Sequence, residues 1–544
     1  MRTIGASFSG GGFRATAFTM GCLDYLNSVK LGERTLLENI AFSSSTSGGS
    51  IAMALHAVHA YNGTPFPAIL KAVREHMTGE DLLAEAFRVL EDDAEWAKYP
   101  TKNRNLINAF AIVYDQKLFN GATLDLFANK VKNPPIERYC FNTTELNNGI
   151  SFRFDLNGSA NHLEDVGNFY QHFAPGKEAV LGKIRLADVV AASSCFPVGF
   201  EPLVYPDDLE QADPVGLKDA LVDEYGMALR SDRLPFGLID GGAVDNQGLW
   251  ALKVEAERRV KRKEQAFDLL ISCDVSSFRA DRYVPPNAKV PWRGLPRVGQ
   301  VPLLVILSLL GLLVAMVAAL IQHHWVVVAA LVLPTFLLCY AAIKVSCLLG
   351  GGDGTWGMIL KKYGKPMIKR LSFGTAQYLV QARLRSLGML LNHVFMNQIR
   401  RQHYGAIYDK DNMEVGIISC MVYELATKNN ANLARSMGGK SERAKEAGHA
   451  DLWDMAVASL HPTAAMQKVA DSAASMETTL WFDPSSASKL DDLVACGRFT
   501  MCFNLLVYLA EVEAKTGSLD EDLSLLRVQL TSSWNSYIQM PMAV

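Results

Sequence analysis

Three short segments of this chain contain residue types that together could hydrolyse an acyl ester. Ser47 lies between an apolar stretch and two glycines, as in a tight strand-to-helix turn that exposes a hydroxyl as a nucleophile. Gly10, Gly11 and Gly12 follow a strand-like segment and open a helix-like one, so their N–H groups could hold an oxyanion. Asp240 ends another apolar run and could accept the proton of the serine.

Two of these segments also have ordinary structural explanations. Serine and glycine are common at helix N-caps, so Ser47 in isolation would most often be a cap. Asp240 before Gly241 and Gly242 is typical of an Asx-turn, in which the side chain bonds to its own backbone. Only the presence of all three segments in one chain favours the catalytic interpretation.

The glycine segment has a second chemical interpretation, as a dinucleotide-binding loop. Gly10, Gly12 and Ala15 fit the G-x-G-x-x-A pattern, and Asp24 or Glu33 lies near the position of a ribose-binding acid. Such a site would leave the serine turn and the aspartate without a role. The hydrolase interpretation uses all three segments, and it requires no cofactor.

Histidine and metal chemistry receive little support from the sequence. A hydrolase with a triad would place a histidine late in the chain, but no late histidine lies in an active-site motif. The candidates are His393, His403, His449 and His461. His56 and His59 share one helix-like segment without a third ligand, so we expect them to pack or to lie at the surface. The sequence therefore predicts no metal site.

Composition excludes a nucleic-acid binder and favours a reducing compartment. The formal net charge is −3 over 544 residues, and no basic patch is interleaved with aromatic residues. The nine cysteines form no CxxC pair, which is typical of free thiols in the cytosol. Residues 3–8 resemble a strand and lack the features of a secretory signal, so the chain is expected to begin inside its fold.

Two uncharged stretches, 301–321 and 325–343, are each long enough to cross a membrane. At ~1.5 Å per residue each helix would span a hydrocarbon core of ~30 Å. Only three residues separate them, which predicts a transmembrane hairpin. Basic residues on both sides, such as Lys289 and Lys344, predict that the catalytic domain and both termini are cytoplasmic. The alternative is a helical hairpin buried in a soluble core.

The remaining sequence predicts an α/β catalytic domain that the hairpin interrupts. Residues 1–290 alternate strand-like and helix-like patterns, which indicates a largely parallel sheet. Residues 350–544 are mainly helical, with one apolar strand predicted over 415–423. We expect this second part to complete the domain begun by the first.

Together the three segments resemble the motifs of patatin-like phospholipases. That family has a GGGxR oxyanion loop, a serine in a GxSxG-type elbow and an aspartate in a DGG or DGA motif. Here the corresponding segments are Gly10–Arg14, Ser45–Gly49 and Asp240–Gly242. The resemblance covers residues 1–280 and, more faintly, 398–409 and 478–510.

The resemblance implies both a fold and an activity. The fold is a three-layer α/β/α arrangement with a central, mostly parallel sheet. The activity is that of a membrane-anchored serine lipid acyl hydrolase of the phospholipase A or lysophospholipase type, with a Ser47–Asp240 dyad and a membrane lipid as substrate. The residues implied for the oxyanion hole are Gly10, Gly11, Gly12 and Arg14. An oligomer is possible and is left open.

One position departs from the family pattern. Ser45 stands where the elbow motif has its first glycine, so the turn must accommodate a hydroxymethyl group. A catalytically degenerate membrane sensor or scaffold is therefore an alternative function. A conditionally activated effector that degrades membranes is another.

Overall fold

Strands and helices alternate through the first half of the chain, as the sequence predicts. The computed structural model describes residues 2–78, 81–128, 136–157, 166–197, 199–210, 216–276, 300–350, 373–408, 415–479, 482 and 486–542. The chain forms two compact units, of which one contains Met1–Ala280 with Phe395–Val544 and the other contains Asp281–Val394. The elements below are numbered along the chain.

The strands are β1 (Ile4–Phe8), β2 (Lys30–Leu31), β3 (Arg34–Thr35), β4 (Ile40–Thr46), β5 (Arg138–Glu145), β6 (Ile150–Asn157), β7 (Gln171–Phe173), β8 (Leu203–Tyr205), β9 (Leu221–Asp223), β10 (Phe236–Asp240), β11 (Leu269–Asp274) and β12 (Gly416–Met421).

The α-helices of the first half of the chain are α1 (Gly12–Ser28), α2 (Gly48–Tyr61), α3 (Phe66–Thr78), α4 (Leu82–Glu91), α5 (Asp93–Trp96), α6 (Leu106–Tyr114), α7 (Glu178–Gly182), α8 (Leu186–Ser193), α9 (Gly242–Asp245) and α10 (Leu249–Arg262). Those of the second half are α11 (Val301–Ile321), α12 (Trp325–Gly350), α13 (Phe373–Met389), α14 (Met396–Tyr408), α15 (Asn430–Glu446), α16 (Ala450–Val457), α17 (Ala464–Ser475), α18 (Ala487–Thr516) and α19 (Glu521–Gln539).

The central sheet is mixed rather than mostly parallel throughout. Its strand order is β12-β11-β1-β4-β5-β10-β8, and β6 pairs with the remaining edge of β5. The strands from β12 to β5 are parallel, whereas β10, β8 and β6 are antiparallel to their neighbours. A short turn over residues 146–149 joins β5 to β6, and so short a connection permits only antiparallel pairing.

Helices cover both faces of the sheet, in three layers. Side chains on one face, among them Phe8 and Ile271, belong to a core shared with α1, α2 and α18. Alternate side chains, among them Phe42 and Leu270, form a second core with Leu252 of α10. A continuous apolar strand such as β11 is buried on both faces for this reason.

The second half of the chain closes the first core. Helix α18 packs along α1, and the two backbones come so close that a Cβ on Gly21 would lie 2.1 Å from the carbonyl oxygen of Val494. The strand predicted over 415–423 corresponds to β12, and the mainly helical character of this part is also as predicted.

The predicted hairpin consists of two helices in the second unit. Residues 303–321 of α11 have a mean hydropathy of 3.0, and only 6% of this stretch is buried. Helix α12 extends to Gly350, beyond the predicted end at residue 343. Both are apolar, but insertion into a membrane and the sidedness of the chain stay predictions. The flanking basic residues 289, 293, 297, 361, 362 and 365 lie outside the described residues.

Candidate active site

Ser47 occupies a strained turn between β4 and α2. Its backbone has φ 52° and ψ −119°, an unusual conformation for a residue with a side chain. The preceding strand is buried along its whole length, so the turn lifts the serine out of the sheet at the carboxyl end of β4. The residue is 9% exposed. This is the backbone conformation of a strand-to-helix elbow, and the role of Ser47 as a nucleophile stays a prediction.

A serine from another helix holds the elbow. The N–H of Ser47 donates to Oγ of Ser193, the last residue of α8, at 3.0 Å. Ser193 donates in turn to the carbonyl oxygen of Asn142 at 2.7 Å, and Oγ of Ser50 lies 2.8 Å from Oγ of Ser193. No motif in the sequence assigned a role to Ser193.

Ser45 fits the elbow without crowding it. Its hydroxyl donates to the carbonyl oxygen of Cys140 at 3.3 Å and accepts from Oγ of Ser50 at 3.2 Å. The side chain is buried and lies one pair before the end of the β4–β5 ladder, opposite Phe141. The serine side chain at this position is therefore accommodated, and its hydroxyl is satisfied by two hydrogen bonds.

Asp240 lies at the end of β10 and faces the elbow. Its N–H donates to the carbonyl oxygen of Cys195 at 2.9 Å, and its Oδ1 accepts from the N–H of Gly242 at 2.7 Å. Burial raises the pKa of Asp240 to about 6, while the N–H of Gly242 and the hydroxyl of Ser47 act in the opposite direction. The structure thus brings Ser47 and Asp240 together, and burial makes this carboxylate a stronger base than usual.

The glycine loop between β1 and α1 lies against the nucleophile. A Cβ on Gly10 would lie 3.1 Å from Cβ of Ser47 and 2.7 Å from Oδ1 of Asn246. The N–H of Gly10 donates to the carbonyl oxygen of Asn246 at 2.9 Å, so this donor is already engaged. Within the described part of the chain, the N–H groups of Gly11 and Gly12 have no hydrogen-bond partner. Of the three glycines predicted to bind an oxyanion, Gly11 and Gly12 therefore stay candidate donors, whereas the N–H of Gly10 is already engaged.

Arg14 fixes this loop from behind. Its guanidinium donates to the carbonyl oxygens of Val275, just after β11, and of Met476. The N–H of Phe13 donates to the carbonyl oxygen of Thr479 at 2.7 Å. Desolvation by burial lowers the pKa of Arg14 to about 10. Arg14 therefore supports the glycine loop through backbone carbonyls, and its predicted place in an oxyanion hole stays a prediction.

Three of the histidines considered from the sequence contact groups other than Ser47 and Asp240. Nδ1 of His403 is 3.2 Å from Oδ1 of Asp245, and Nδ1 of His449 is 2.9 Å from the carbonyl oxygen of Ala514. His56 is buried beside Tyr139, and its burial lowers its pKa to about 4. His56 is therefore a core residue, as predicted. Within the described ranges, no group of histidine, cysteine, aspartate and glutamate residues could hold a metal ion.

Comparison with known proteins supports the same family. The model of the patatin-like phospholipase family matches residues 6–253, a range that includes the glycine loop, Ser47 and Asp240. Residues 6–253 accordingly have a patatin-like α/β fold around the mixed sheet. Among curated proteins, no sequence shows significant similarity to this chain.

Two solved structures resemble the chain at low sequence identity. Human GIVD cytosolic phospholipase A2 is 14% identical with a TM-score of 0.32, over 50% of this chain and 45% of that one. VipD from Legionella pneumophila is 12% identical with a TM-score of 0.22, over 100% of this chain and 92% of that one. The chain thus spans less than half the length of the human protein's structure.

Proposed function

We propose that this chain is a membrane-anchored lipid acyl hydrolase of the phospholipase A or lysophospholipase type, with Ser47 and Asp240 as a catalytic dyad. One observation carries the proposal. The Ser47 hydroxyl, a buried carboxylate with a pKa of about 6 and the backbone N–H groups of Gly11 and Gly12, which have no partner among the described residues, meet at one edge of the sheet. The family match over residues 6–253 supports a lipid ester as the substrate.

The reaction proceeds in two steps. Oγ of Ser47 attacks the ester carbonyl carbon while Asp240 accepts the hydroxyl proton, and the N–H groups of Gly11 and Gly12 stabilise the resulting oxyanion. Asp240 then returns the proton to the leaving alcohol oxygen as the ester C–O bond breaks. In the second step Asp240 takes a proton from water, whose oxygen attacks the acyl-enzyme. Collapse of this second intermediate releases the fatty acid and restores the Ser47 hydroxyl.

Helices α11 and α12 supply the membrane anchor in this proposal. Helix α11 exposes large apolar side chains over most of its length, including Leu310, Leu313 and Val314. Such a surface is stable in lipid and costly in water. An anchored enzyme meets its substrate at the bilayer, so a lipid needs to leave the membrane only partway to reach the serine.

The catalytic part is tested with purified full-length protein on mixed liposomes. A fluorophosphonate probe is expected to label Ser47, and Ser47→Ala should abolish both labelling and fatty-acid release. Ser194→Ala is the matched control, because that residue lies just after α8 and its hydroxyl donates to the carbonyl oxygen of Val190. Asp240→Asn should fold and lose turnover. Absence of labelling in the folded wild type would contradict the proposal and favour the sensor or scaffold.

The anchoring part has an independent test. Wild-type protein is expected to remain with membranes after alkaline carbonate extraction. Replacing Leu310 and Val314 by lysine should release it, because charges at the centre of a span oppose insertion. The same double change at Leu525 and Val528, two exposed apolar residues of α19, is the control. Extraction of the wild type would exclude the anchor without affecting the assignment of Ser47.

A further inference from the structure

Four exposed apolar side chains project from one end of a small ribbon in the first unit. Strands β7 and β9 pair antiparallel, with Gln171 opposite Asp223, so the turn before β7 and the turn after β9 leave from the same end. The side chains on these turns are Phe169 (75% exposed), Tyr170 (39%), Tyr225 (78%) and Met227 (61%). We call these four residues the aromatic tip.

Hydrogen bonds hold both turns in place. Oδ1 of Asn168 accepts the N–H of Tyr170 at 2.9 Å and that of Gln171 at 3.0 Å. Oδ1 of Asp223 accepts the N–H of Tyr225 at 3.0 Å and that of Met227 at 2.9 Å. Both turns are therefore ordered by side-chain caps of the Asx type. Their fixed backbones display large apolar groups to the solvent.

Strand register relates the aromatic tip to the nucleophile. Thr46, just before Ser47, pairs with Asn142 of β5, which pairs with Arg153 of β6. Arg153 in turn exchanges backbone hydrogen bonds of 3.0 and 2.8 Å with Gly167. At ~4.8 Å per strand, the Gly167 segment lies about 15 Å along the sheet from the elbow.

The directions of the strands place the aromatic tip at the same edge of the sheet as Ser47. The Gly167 segment is antiparallel to β6, and β6 is antiparallel to β5. The chain therefore approaches Phe169 in the direction in which β4 and β5 approach the active site. Strand β9 runs the same way towards Tyr225, because it is antiparallel to β7. Both turns thus point to the side of the sheet on which Ser47 lies.

Charges near the aromatic tip are paired with one another. Arg233 lies 3.0 Å from Glu224, and Arg230 lies 2.5 Å from Asp232. These pairs provide no net positive field to attract anionic lipid. An attachment made through this surface would depend on apolar and aromatic contact instead.

We propose that the aromatic tip inserts into the interfacial layer of a zwitterionic phospholipid bilayer and holds the Ser47 edge of the sheet against it. Aromatic and methionine side chains on convex turns suit the headgroup region, where their polar ends stay hydrated. Four side chains on two turns form a smaller surface than the ~800 Å² per partner of a specific protein interface. The inference rests on the proposed function, because only a lipid hydrolase would need this edge of the sheet at the bilayer. Its test measures insertion and needs no catalysis.

The test uses the full-length protein carrying Cys339→Ser and Cys347→Ser, reconstituted into phosphatidylcholine liposomes. An environment-sensitive fluorophore is attached to Tyr225→Cys and, as a control, to Val260→Cys on α10, which is 67% exposed in the wild type. The label at 225 should shift to shorter wavelength and be quenched by brominated lipid, at low and at high salt alike. The label at 260 should do neither.

Three outcomes would overturn the inference: an unshifted label at 225, a shift that requires anionic lipid, or a shift that appears only when another protein is added. Each can be read in the Ser47→Ala background, so a failure of the proposed catalysis is seen separately. In active protein, Phe169→Ser with Tyr225→Ser should lower hydrolysis of vesicle lipid about tenfold and leave a soluble ester unaffected. Phe87→Ser, at a residue 51% exposed on α4, should change neither rate.

Discussion

The turn after β1 and the turn after β4 are neighbours in the sheet, and each joins a buried parallel strand to a helix through residues of positive φ. After β1 the residues are Gly11 (φ 145°) and Gly12 (φ 61°), which have no side chain. After β4 the residue is Ser47 (φ 52°), which has one. The first turn can present only backbone N–H groups, whereas the second presents a hydroxyl.

The two turns also differ in how they are held. The glycine loop is tied to backbone carbonyls of Thr479, Met476 and Val275, through Phe13 and Arg14. The serine turn is tied to side chains, chiefly the hydroxyl of Ser193. A donor array for an oxyanion must not move during the reaction, and backbone anchors are suited to that. The hydroxyl of Ser47, the proposed nucleophile, has the carboxylate of Asp240 beside it as a proton acceptor.

The largest difference between the turns is expected from adding one methyl group to the first. In Gly12→Ala the new Cβ would lie 2.4 Å from the carbonyl oxygen of Thr479, so the loop must shift. We expect kcat to fall about 10² to 10³-fold, as for loss of one oxyanion donor. Gly32→Ala is the control, because its φ of 65° is similar and nothing lies within 4 Å. It should lose about 1 kcal/mol of stability and no activity.

The pH profile should reflect the second turn alone. Asp240 must be ionised to accept the proton, and its pKa is about 6, so kcat/KM on a soluble ester should fall about tenfold per pH unit below that value. Gly12→Ala should lower the plateau without moving this midpoint. A profile flat to pH 4 would contradict Asp240 as the base.

The stability of the fold should depend on pH in the opposite direction from activity, because ionisation of Asp240 favours activity and disfavours folding. The folded pKa of Asp240 lies above its unfolded value of ~3.9, so its protonated form is favoured by folding. This stability is fully present below pH ~3.9 and is lost as the pH rises through about 6. Denaturant titrations should show the loss in wild type and a smaller one in Asp240→Asn.

A more modest effect is expected from removing the Ser193 hydroxyl, which accepts the N–H of Ser47. Ser193→Ala leaves the buried N–H of Ser47 without its acceptor, at a cost of about 1 to 3 kcal/mol. The elbow should loosen, with kcat falling about tenfold and KM unchanged. Ser194→Ala, one residue away, should match wild type in both constants, and an equal loss there would argue against the anchor.

The smallest effect is expected from restoring glycine at Ser45. Its hydroxyl makes two hydrogen bonds, one to Cys140 of β5 and one to Ser50 of α2, so Ser45→Gly should lower the unfolding free energy by about 1 to 2 kcal/mol. Turnover should change by no more than about threefold, since the nucleophile keeps its backbone. A large gain in turnover would show instead that the serine impairs the elbow.

Much of the fold and of the site could be predicted from local patterns. Strands β1, β4 and β11 are continuous apolar or small-residue runs, and each of the three motifs directly follows a strand. Ser47 and Asp240 could be named because the turn chemistry around them is local. Their proximity required the sheet order, which places β4 and β10 on the same edge of β5.

Contacts that depend on distant segments could not be predicted. Strand β5 was missed because its second half, from Asn142 to Glu145, is polar although wholly buried. These side chains bond across the sheet, as when Asn142 donates to Oγ of Ser44 at 2.9 Å. Nothing in the sequence near Ser193 or Thr479 indicates which turn each would support.

Hydropathy alone could not separate two long apolar helices. Residues 303–321 of α11 and the 30 residues of α18 both qualify by length and composition, yet their buried shares are 6% and 89%. Helix α18 carries Gly497, whose close approach to Phe18 of α1 leaves no space for a side chain. Gly311 of α11 has open space around it. Packing partners, rather than composition, distinguish a core helix from a candidate span.

The support that residues 476–479 give to the glycine loop has a consequence during protein synthesis. A ribosome makes Ser47 and Asp240 early, then the apolar hairpin, and only afterwards Met476 and Thr479. Until these late residues emerge and dock, Phe13 lacks its carbonyl partner, Arg14 lacks one of its two, and the glycine loop is incompletely held. A nascent chain would therefore complete its glycine loop only after helices α11 and α12 had been made.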